Sequence, residues 1–335
     1  MREPEVLTVV TPMYNEREAV DAFVKRLRPL LDGLSVAYEV IAVDDGSTDG
    51  TANRLLALRR GWPELRVVKL RRNSGHQAAI AAGLRASRGE YVVTIDADLQ
   101  DPPEVITEML ALARAGSLDV VYGVRGDRSS DTMFKRVTAG GYYRLMRRLI
   151  GDWVRSNAGD FRLMSRAVVE VLLELPERQP IYRLVVPSLG FPSGGVRYTR
   201  APRVAGRTKY PLRRMLRLSL DSVTSFSAAP LRIATWLGLV AFMACLGLIA
   251  YGLIAYANKV TVPGWTSLYI AVLLLGGVQL ICLGLLGEYI GRIYANGQNR
   301  PAYLVAYDTG DPDRPPPREP AAGDGRDAPA LAGRG

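Results

Sequence analysis

The chain has 335 residues, of which 48% are apolar and 23% charged, and it carries a net charge of +10. Its length allows roughly two domains, and a mean hydropathy of +0.04 is high for a wholly water-soluble chain, so a polar domain joined to a membrane part is expected. Its two cysteines, Cys245 and Cys282, lie inside apolar runs, which excludes a disulfide framework and a cysteine-built zinc site; the basic balance leaves nucleic acid, anionic lipid or a phosphorylated substrate open.

The N-terminal MREPEVLTVV lacks the basic-then-apolar profile of a signal peptide and runs into a first strand, so the first domain is expected in the cytoplasm. From there to residue 124 a strand-then-helix rhythm repeats. Strands are predicted at 6–11, 38–43, 65–70, 91–95 and 119–124, and helices near 16–32, 48–60, 75–87 and 103–115. Such alternation predicts a mostly parallel sheet covered by helices on both faces. Ligands of such sheets bind outside the carboxyl ends of the strands, and three loops at those ends are unusually polar.

The first loop is Thr11-Pro12-Met13-Tyr14-Asn15-Glu16. Tyr14 offers a ring for stacking and Glu16 an acceptor; a plain helix start with Asn15 as cap is the alternative. The second is Asp44-Asp45-Gly46-Ser47-Thr48, in which a carboxylate could accept an N–H from a nucleobase while Ser47 or Thr48 caps the next helix. The third follows the strand YVVTI: Asp96-Ala97-Asp98-Leu99-Gln100, with Pro102 and Pro103 expected in the first turn of a helix. Two carboxylates one residue apart at a strand end suit a hard divalent cation, which takes oxygen ligands and completes its shell with water and substrate phosphates; a capping turn at Asp98 is the alternative. Between these loops, Arg72-Asn73-Ser74-Gly75-His76-Gln77 opens an alanine-rich helix. His76 is the only histidine, so a multi-histidine metal site is excluded, and a structural or supporting role is expected for it. Neither a G-x-G-x-x-G after a strand nor a G-x-x-x-x-G-K-[ST] occurs, so a dinucleotide fold and a P-loop lack their signatures.

TPMYNE, VDDGSTDGT, RNSGHQAAIAAGL and DADLQDPPE, in that order, resemble the motifs of family-2 glycosyltransferases with the GT-A fold, and most closely the polyprenyl-phosphate glycosyltransferases. The resemblance covers roughly residues 5 to 305. It implies that Pro12, Tyr14, Glu16, Asp44 and Asp45 hold the nucleotide, that Asp96, Asp98 and Gln100 hold Mg²⁺ or Mn²⁺ against the diphosphate, with Asp96 also near the donor, and that Arg125 contacts the diphosphate. In Ala158-Gly159-Asp160-Phe161-Arg162-Leu163, Asp160 matches the family's acid at the acceptor side of the donor sugar; a turn or cap aspartate is the alternative. No Q-x-x-R-W of processive synthases is present, which implies transfer of a single sugar.

A basic helix is predicted at 131–151. Further on, Arg203 and Lys209 are candidates for the acceptor phosphate, and Leu212, Met215, Leu216 and Leu220 recur at helical spacing opposite Arg213, Arg214 and Arg217. This is the pattern of a basic amphipathic helix on an anionic membrane surface. Ile233 to Asn258 and Val260 to Gly287 then contain no charged residue, each longer than the ~20 residues that cross a bilayer core, and the flanking arginines put both ends in the cytoplasm. The expected plan is an α/β GT-A-type catalytic domain over 1–205, a juxtamembrane amphipathic region over 206–230, two transmembrane helices over 231–294 and a cytoplasmic tail over 295–335, disordered from about 309. The expected protein is a multi-pass cell-membrane glycosyltransferase with a cytoplasmic catalytic domain. It would move one sugar, with inversion, from a nucleotide-sugar (a UDP-sugar favoured) to polyprenyl phosphate. Transfer to another membrane lipid or a glycan, or a non-catalytic nucleotide-sugar-binding subunit, are the alternatives. Anionic lipids are expected as partners, nucleic acid is not, and a homo-oligomer is a further option.

Overall fold

The computed structural model describes residues 7–126, 158–177, 180–199, 229–258, 265–298 and 300–317. The chain runs β1 (Leu7–Met13), α1 (Arg17–Asp32), β2 (Tyr38–Asp44), α2 (Thr51–Arg59), β3 (Leu65–Leu70), α3 (His76–Ala86), β4 (Tyr91–Thr94), α4 (Val105–Gly116) and β5 (Val120–Arg125). It continues with β6 (Ala158–Ser165), α5 (Arg166–Glu174), α6 (Tyr182–Ser188), β7 (Ser193–Tyr198), α7 (Ala229–Ala257), α8 (Trp265–Gly297) and β8 (Val305–Asp308). The basic segment 131–151, Arg203, Lys209, most of the juxtamembrane region and the loop between α7 and α8 lie outside the described residues.

One eight-stranded sheet has the order β7-β5-β6-β4-β1-β2-β3-β8. β1 is buried along its whole length, as a central parallel strand covered on both faces must be. It pairs in parallel with β2 and β4, and β2 pairs in parallel with β3. Helix α1 buries Ala19, Val20, Phe23, Leu27 and Leu31, a stripe at helical spacing. Together with α4 it forms the core on one face, while α3, α5 and α6 form the other. Helix α3 lies close because its inner residues are small: a Cβ on Gly83 would sit 2.2 Å from Val10 Cγ1.

Three features differ from the sequence expectations. First, Asp160 is not the turn or cap aspartate of the alternative reading. β6 lies between β4 and β5, antiparallel to both, so Asp160 lies on a strand. Second, Pro102 and Pro103 precede α4, which starts at Val105, and the helix caps fall elsewhere: Asp49 Oδ2 accepts from Arg17 N (3.0 Å) and Asp49 Oδ1 from Thr51 N (2.9 Å). Third, the segment after α8, expected only as a tail, returns to the sheet. β8 pairs antiparallel with β3, and Arg66 grips Asp308 through two hydrogen bonds of 2.7 Å. Thr309 Oγ1 accepts from Val67 N at 2.9 Å, and Gly310 N donates to Asp308 Oδ1 at 2.9 Å.

The helices α7 and α8 pack on one another, and Cys282 Sγ donates to the Ala234 carbonyl across the pair at 3.6 Å. Large apolar side chains face outward on both, among them Trp236, Val240, Leu253, Leu274, Leu280 and Ile293. Among the described residues one helical stretch, Leu274–Gly297, is long and apolar enough to cross a membrane, and Ala234–Ala244 is a shorter apolar stretch.

Candidate active site

The carboxyl ends of β1, β2 and β4 open onto a cleft of about 410 Å³ lined by Pro12, Met13, Tyr14, Glu16, Asp45, Asn73, Gly75, His76, Ala79, Asp96, Ala97 and Asp98. A larger cavity, about 640 Å³, lies at the opposite edge around Tyr38, Arg66 and Arg88. It holds none of the residues that the motifs single out.

Within the cleft, the loop after β1 is braced by the loop after β2. Asn15 adopts a positive φ of 54°, its N–H donates to Ser47 Oγ (2.9 Å), and its Oδ1 accepts from Thr48 N (2.9 Å). This leaves Tyr14 45% exposed at the rim, a free aromatic face suited to a flat ligand. Asp45 Oδ1 and Oδ2 accept from Ser74 N (2.7 Å) and Gly75 N (2.9 Å), which ties the loop before α3 to the site. Gly46 permits that closeness, because at φ +69° its Cβ would stand 2.5 Å from the Arg72 carbonyl carbon. Burial pushes the Asp45 carboxyl up, against the pull of those two N–H groups.

Asp44 departs from the expected role. Its carboxylate is wholly buried, accepts from Ser47 N (3.3 Å) and lies 3.6 Å from Lys69 Nζ. It does not line the cleft, whereas the second acid of the pair, Asp45, does. The cause is the strand's alternation: adjacent residues point to opposite faces, and Asp44 still belongs to β2. Arg125 is likewise outside the cleft lining. Its guanidinium lies 3.9 Å from the buried Asp101, and passes 3.1 Å from where a Cβ on Gly159 would be, beside Asp160 in sequence. Burial lowers its pKa, but Tyr198 and Asp101 outweigh that and raise it, so it stays charged.

Asp96 and Asp160 converge on His76, and Asp98 lines the same cleft. His76 Nε2 is 3.7 Å from Asp96 Oδ1 and 3.4 Å from Asp160 Oδ2. Asp98 Oδ1 accepts from Gln100 N at 3.1 Å, so Gln100 shapes the turn through its backbone. Asp160 reaches the cleft from the start of β6: antiparallel pairing puts that start beside the end of β4, where Thr94 faces Arg162 and the Thr94 hydroxyl donates to the Asp160 carbonyl. Its carboxylate accepts from Arg162 Nη2 (2.7 Å) and Gln77 Nε2 (3.3 Å). Arg162 is itself buried and also donates to the carbonyls of Tyr182 (2.6 Å) and Gly159 (3.1 Å). Although burial disfavours its ionised form, Asp160 is held well below the usual carboxylate range by the hydrogen bond from His76 and the charge of Arg162. Asp96 has the opposite balance. Burial pushes it up to about 6 despite His76, helped by the charges of Asp160, Asp98 and Asp101. For His76, burial lowers the pKa, but the hydrogen bond to Asp160 and the charges of Asp96 and Asp160 raise it.

Among the described residues no three His, Cys, Asp or Glu side chains form a metal cage of their own. Asp96 and Asp98 supply two oxygen-bearing groups at the cleft, a partial set of the kind that Mg²⁺ and Mn²⁺ complete with water and phosphate. Both acids face the cleft with carboxylate oxygens, so the donors present fit a divalent cation.

His76, Gln77 and Arg162 are the residues that sequence reasoning left out of the site. A signal for Arg162 was there: an arginine inside the apolar run FRLM, two residues from an acid, shares that acid's strand face and needs a buried partner. His76 and Gln77 open a helix at the carboxyl edge of the sheet, the edge where ligands bind.

Comparison with known proteins agrees with this geometry. Residues 8–173 match glycosyl transferase family 2, and residues 229–293 match the GtrB C-terminal hairpin. Uncharacterized glycosyltransferase YkcC of Bacillus subtilis (strain 168) is 40% identical over 301 residues, 89% of this chain and 92% of its own. The SfII prophage-derived bactoprenol glucosyl transferase of Shigella flexneri is 40% identical over 305 residues, 89% of this chain and 97% of its own. The prophage bactoprenol glucosyl transferase homolog of Escherichia coli (strain K12) is 39% identical over 305 residues, 89% and 98%. With its acids gathered at the carboxyl edge of a mostly parallel, GT-A-like sheet and these relatives spanning most of its length, the chain belongs to glycosyl transferase family 2 and is a glycosyltransferase.

Proposed function

We propose that this glycosyltransferase moves one sugar, with inversion, from a nucleotide-sugar to a polyprenyl phosphate at the cytoplasmic face of a membrane. The observation that carries the reading is the convergence of Asp96 and Asp160 on His76 at a cleft that also holds Asp98, Tyr14, Glu16 and Asp45. The acceptor class is supported by the bactoprenol named for two relatives of near-equal length.

In this reading Tyr14 stacks on the nucleobase, while Pro12 and Glu16 shape and polarise its pocket. Asp45 keeps the base side of the cleft closed through its two backbone hydrogen bonds. Asp98 and Asp96, with Gln100 bracing the turn, hold Mg²⁺ or Mn²⁺, which when bound supplies positive charge for the donor diphosphate. An oxygen of the acceptor phosphate forms a bond to the anomeric carbon on the face opposite the leaving group. The bond from that carbon to the diphosphate breaks, and its electron pair leaves with the nucleoside diphosphate. The acceptor needs no base, because a phosphate monoester with a second pKa near ~6 already carries a nucleophilic oxygen at neutral pH. Asp160, held ionised by Arg162 and His76, is suited to orient the reaction and to balance charge near the anomeric carbon, and poorly suited to accept a proton. Arg125, Arg203 and Lys209 add cations for diphosphate and acceptor. A UDP-sugar is the favoured donor.

In this reading α7 and α8 cross the membrane, which their outward apolar faces support, and the flanking arginines put both ends in the cytoplasm. A cysteine at Thr261 should then react with an impermeant thiol reagent in intact cells, and labelling at Asp308 in its place would overturn the topology. The reaction is tested with purified full-length protein, a panel of nucleotide-sugars, Mn²⁺ and a polyprenyl phosphate. Sugar should appear in the lipid fraction only with the phosphorylated acceptor; donor binding with no transfer to any lipid phosphate would refute the function.

A further inference from the structure

The residues that hold Asp160 also hold the start of α6. Gln77 Oε1 accepts from Tyr182 N at 3.0 Å while its Nε2 donates to Asp160 Oδ2 at 3.3 Å. Arg162 Nη1 donates to the Tyr182 carbonyl at 2.6 Å while its Nη2 donates to Asp160 Oδ1 at 2.7 Å. One residue, Tyr182, is thus pinned through both its N–H and its C=O by the two side chains that fix the two oxygens of Asp160. The side chain of Tyr182 is buried, which anchors this closed ring of four hydrogen bonds in the core.

The next residue is Arg183. It is exposed and makes no hydrogen bond or ion pair among the described residues. Three cations stand around the Asp160 carboxylate: His76 at 3.4 Å, Arg162 at 2.7 Å, and Arg183, next in the chain to the Tyr182 whose N–H and C=O share its clamp. The first two are committed. His76 bridges Asp160 to Asp96 on the donor side, and Arg162 is buried and directs its hydrogen bonds to Asp160, Gly159 and Tyr182. An anionic acceptor approaching a carboxylate is repelled unless a cation stands between them. A guanidinium meets a phosphate with two parallel hydrogen bonds, which fixes orientation as well as charge.

We propose that Arg183 is the acceptor-side cation of this site: it receives the phosphate monoester of the acceptor next to Asp160, at a position set by Gln77 and Arg162. This rests on the polyprenyl-phosphate reading above and deepens it. The lateral spacing between acid and phosphate is then built into the fold, because moving α6 means breaking the bonds that aim Asp160.

The test uses full-length protein in detergent with UDP and Mn²⁺ present, and compares binding of a short-chain isoprenyl monophosphate with that of the uncharged isoprenyl alcohol. Wild type should prefer the monophosphate. Arg183→Ala should weaken the monophosphate by tenfold or more, in line with a charge-assisted bond worth roughly 10- to 150-fold, while alcohol and UDP affinities stay within twofold. Arg183→Lys should recover part of the loss. Gln77→Ala should weaken the monophosphate although Arg183 is intact. Monophosphate binding within twofold of wild type in Arg183→Ala, with the preference over the alcohol retained, overturns the assignment; unchanged binding in Gln77→Ala overturns the part given to the clamp. A wild-type protein that does not distinguish monophosphate from alcohol refutes the acceptor reading itself, and this inference with it.

Discussion

Asp96 is a carboxylate that the apo protein holds at a disadvantage, so replacing it should stabilise the fold while abolishing activity. Its pKa rises from 3.8 to about 6, first through burial and then through Asp160, Asp98 and Asp101, against the opposing pull of His76. A raised carboxyl pKa means that the penalty is absent below pH 3.8, grows as pH rises and is complete above about pH 6. Taken at face value the displacement corresponds to ~3 kcal/mol. The side chain is 37% exposed, so water screens the neighbouring charges and about 1 kcal/mol is the reasonable expectation. Asp96→Asn should therefore raise Tm at pH 8 by about 2–4 °C for a domain of this size, with the gain fading toward pH 4. Differential scanning fluorimetry in EDTA across pH 4 to 8 reads this directly. Adding Mn²⁺ with a nucleotide-sugar should raise the wild-type Tm and leave the variant unmoved, and its transfer rate should be near background. A Tm that falls at pH 8, or a gain of equal size at pH 4 and pH 8, would refute the electrostatic account of this site.

Asp98→Asn keeps the shape that accepts Gln100 N and removes the charge; loss of metal-dependent transfer with Tm unchanged within about 2 °C is expected, and full activity in metal-depleted buffer would sink the metal assignment. Asp160→Asn should cut the transfer rate by at least about 100-fold, the order expected when a reacting group is mispositioned, with nucleotide-sugar affinity nearly unchanged. Because Asp160 is held below the usual carboxylate range, the wild-type pH–rate profile between 5 and 8 should follow the acceptor phosphate, and an acidic limb that vanishes in the variant would show a true base instead. His76 gives the opposite sign: its raised pKa stabilises the fold fully below pH ~6.5, and urea titrations should show that increment lost as pH rises through the raised value. Asp308→Ala leaves Arg66 as a largely buried charge, with only 12% of its side chain exposed, and should cost ~3 kcal/mol; an unchanged urea midpoint would mean that β8 is not needed by the sheet.

The sequence by itself determined the layered α/β domain and most of the cleft. Runs such as VLTVVT and YEVIAV, largely apolar on both faces, read as strands of a parallel sheet because composition and length are local properties of a chain. The acids at their ends read as ligands because a parallel sheet gathers strand ends at one edge, and the motif order carried the family. The two long uncharged runs beyond residue 232 were equally local. The tertiary structure decided what depends on partners far apart in sequence. Asp160 reaches the cleft only because β6 inserts antiparallel between β4 and β5, which brings the start of one strand beside the ends of others; no pattern within 158–165 specifies that neighbour. Asp44 and Asp45 are indistinguishable as a dipeptide, and the strand's last register position turns the first into the core and the second into the cleft. The role of His76 arises from Asp96 and Asp160, 20 and 84 residues further along the chain, that of Arg162 from joining Asp160, two residues before it, to the distant Tyr182, and β8 joins the sheet through Arg66, 242 positions before Asp308. Local physics sets which elements form, and the pairing of buried charges across the folded chain sets which of them act.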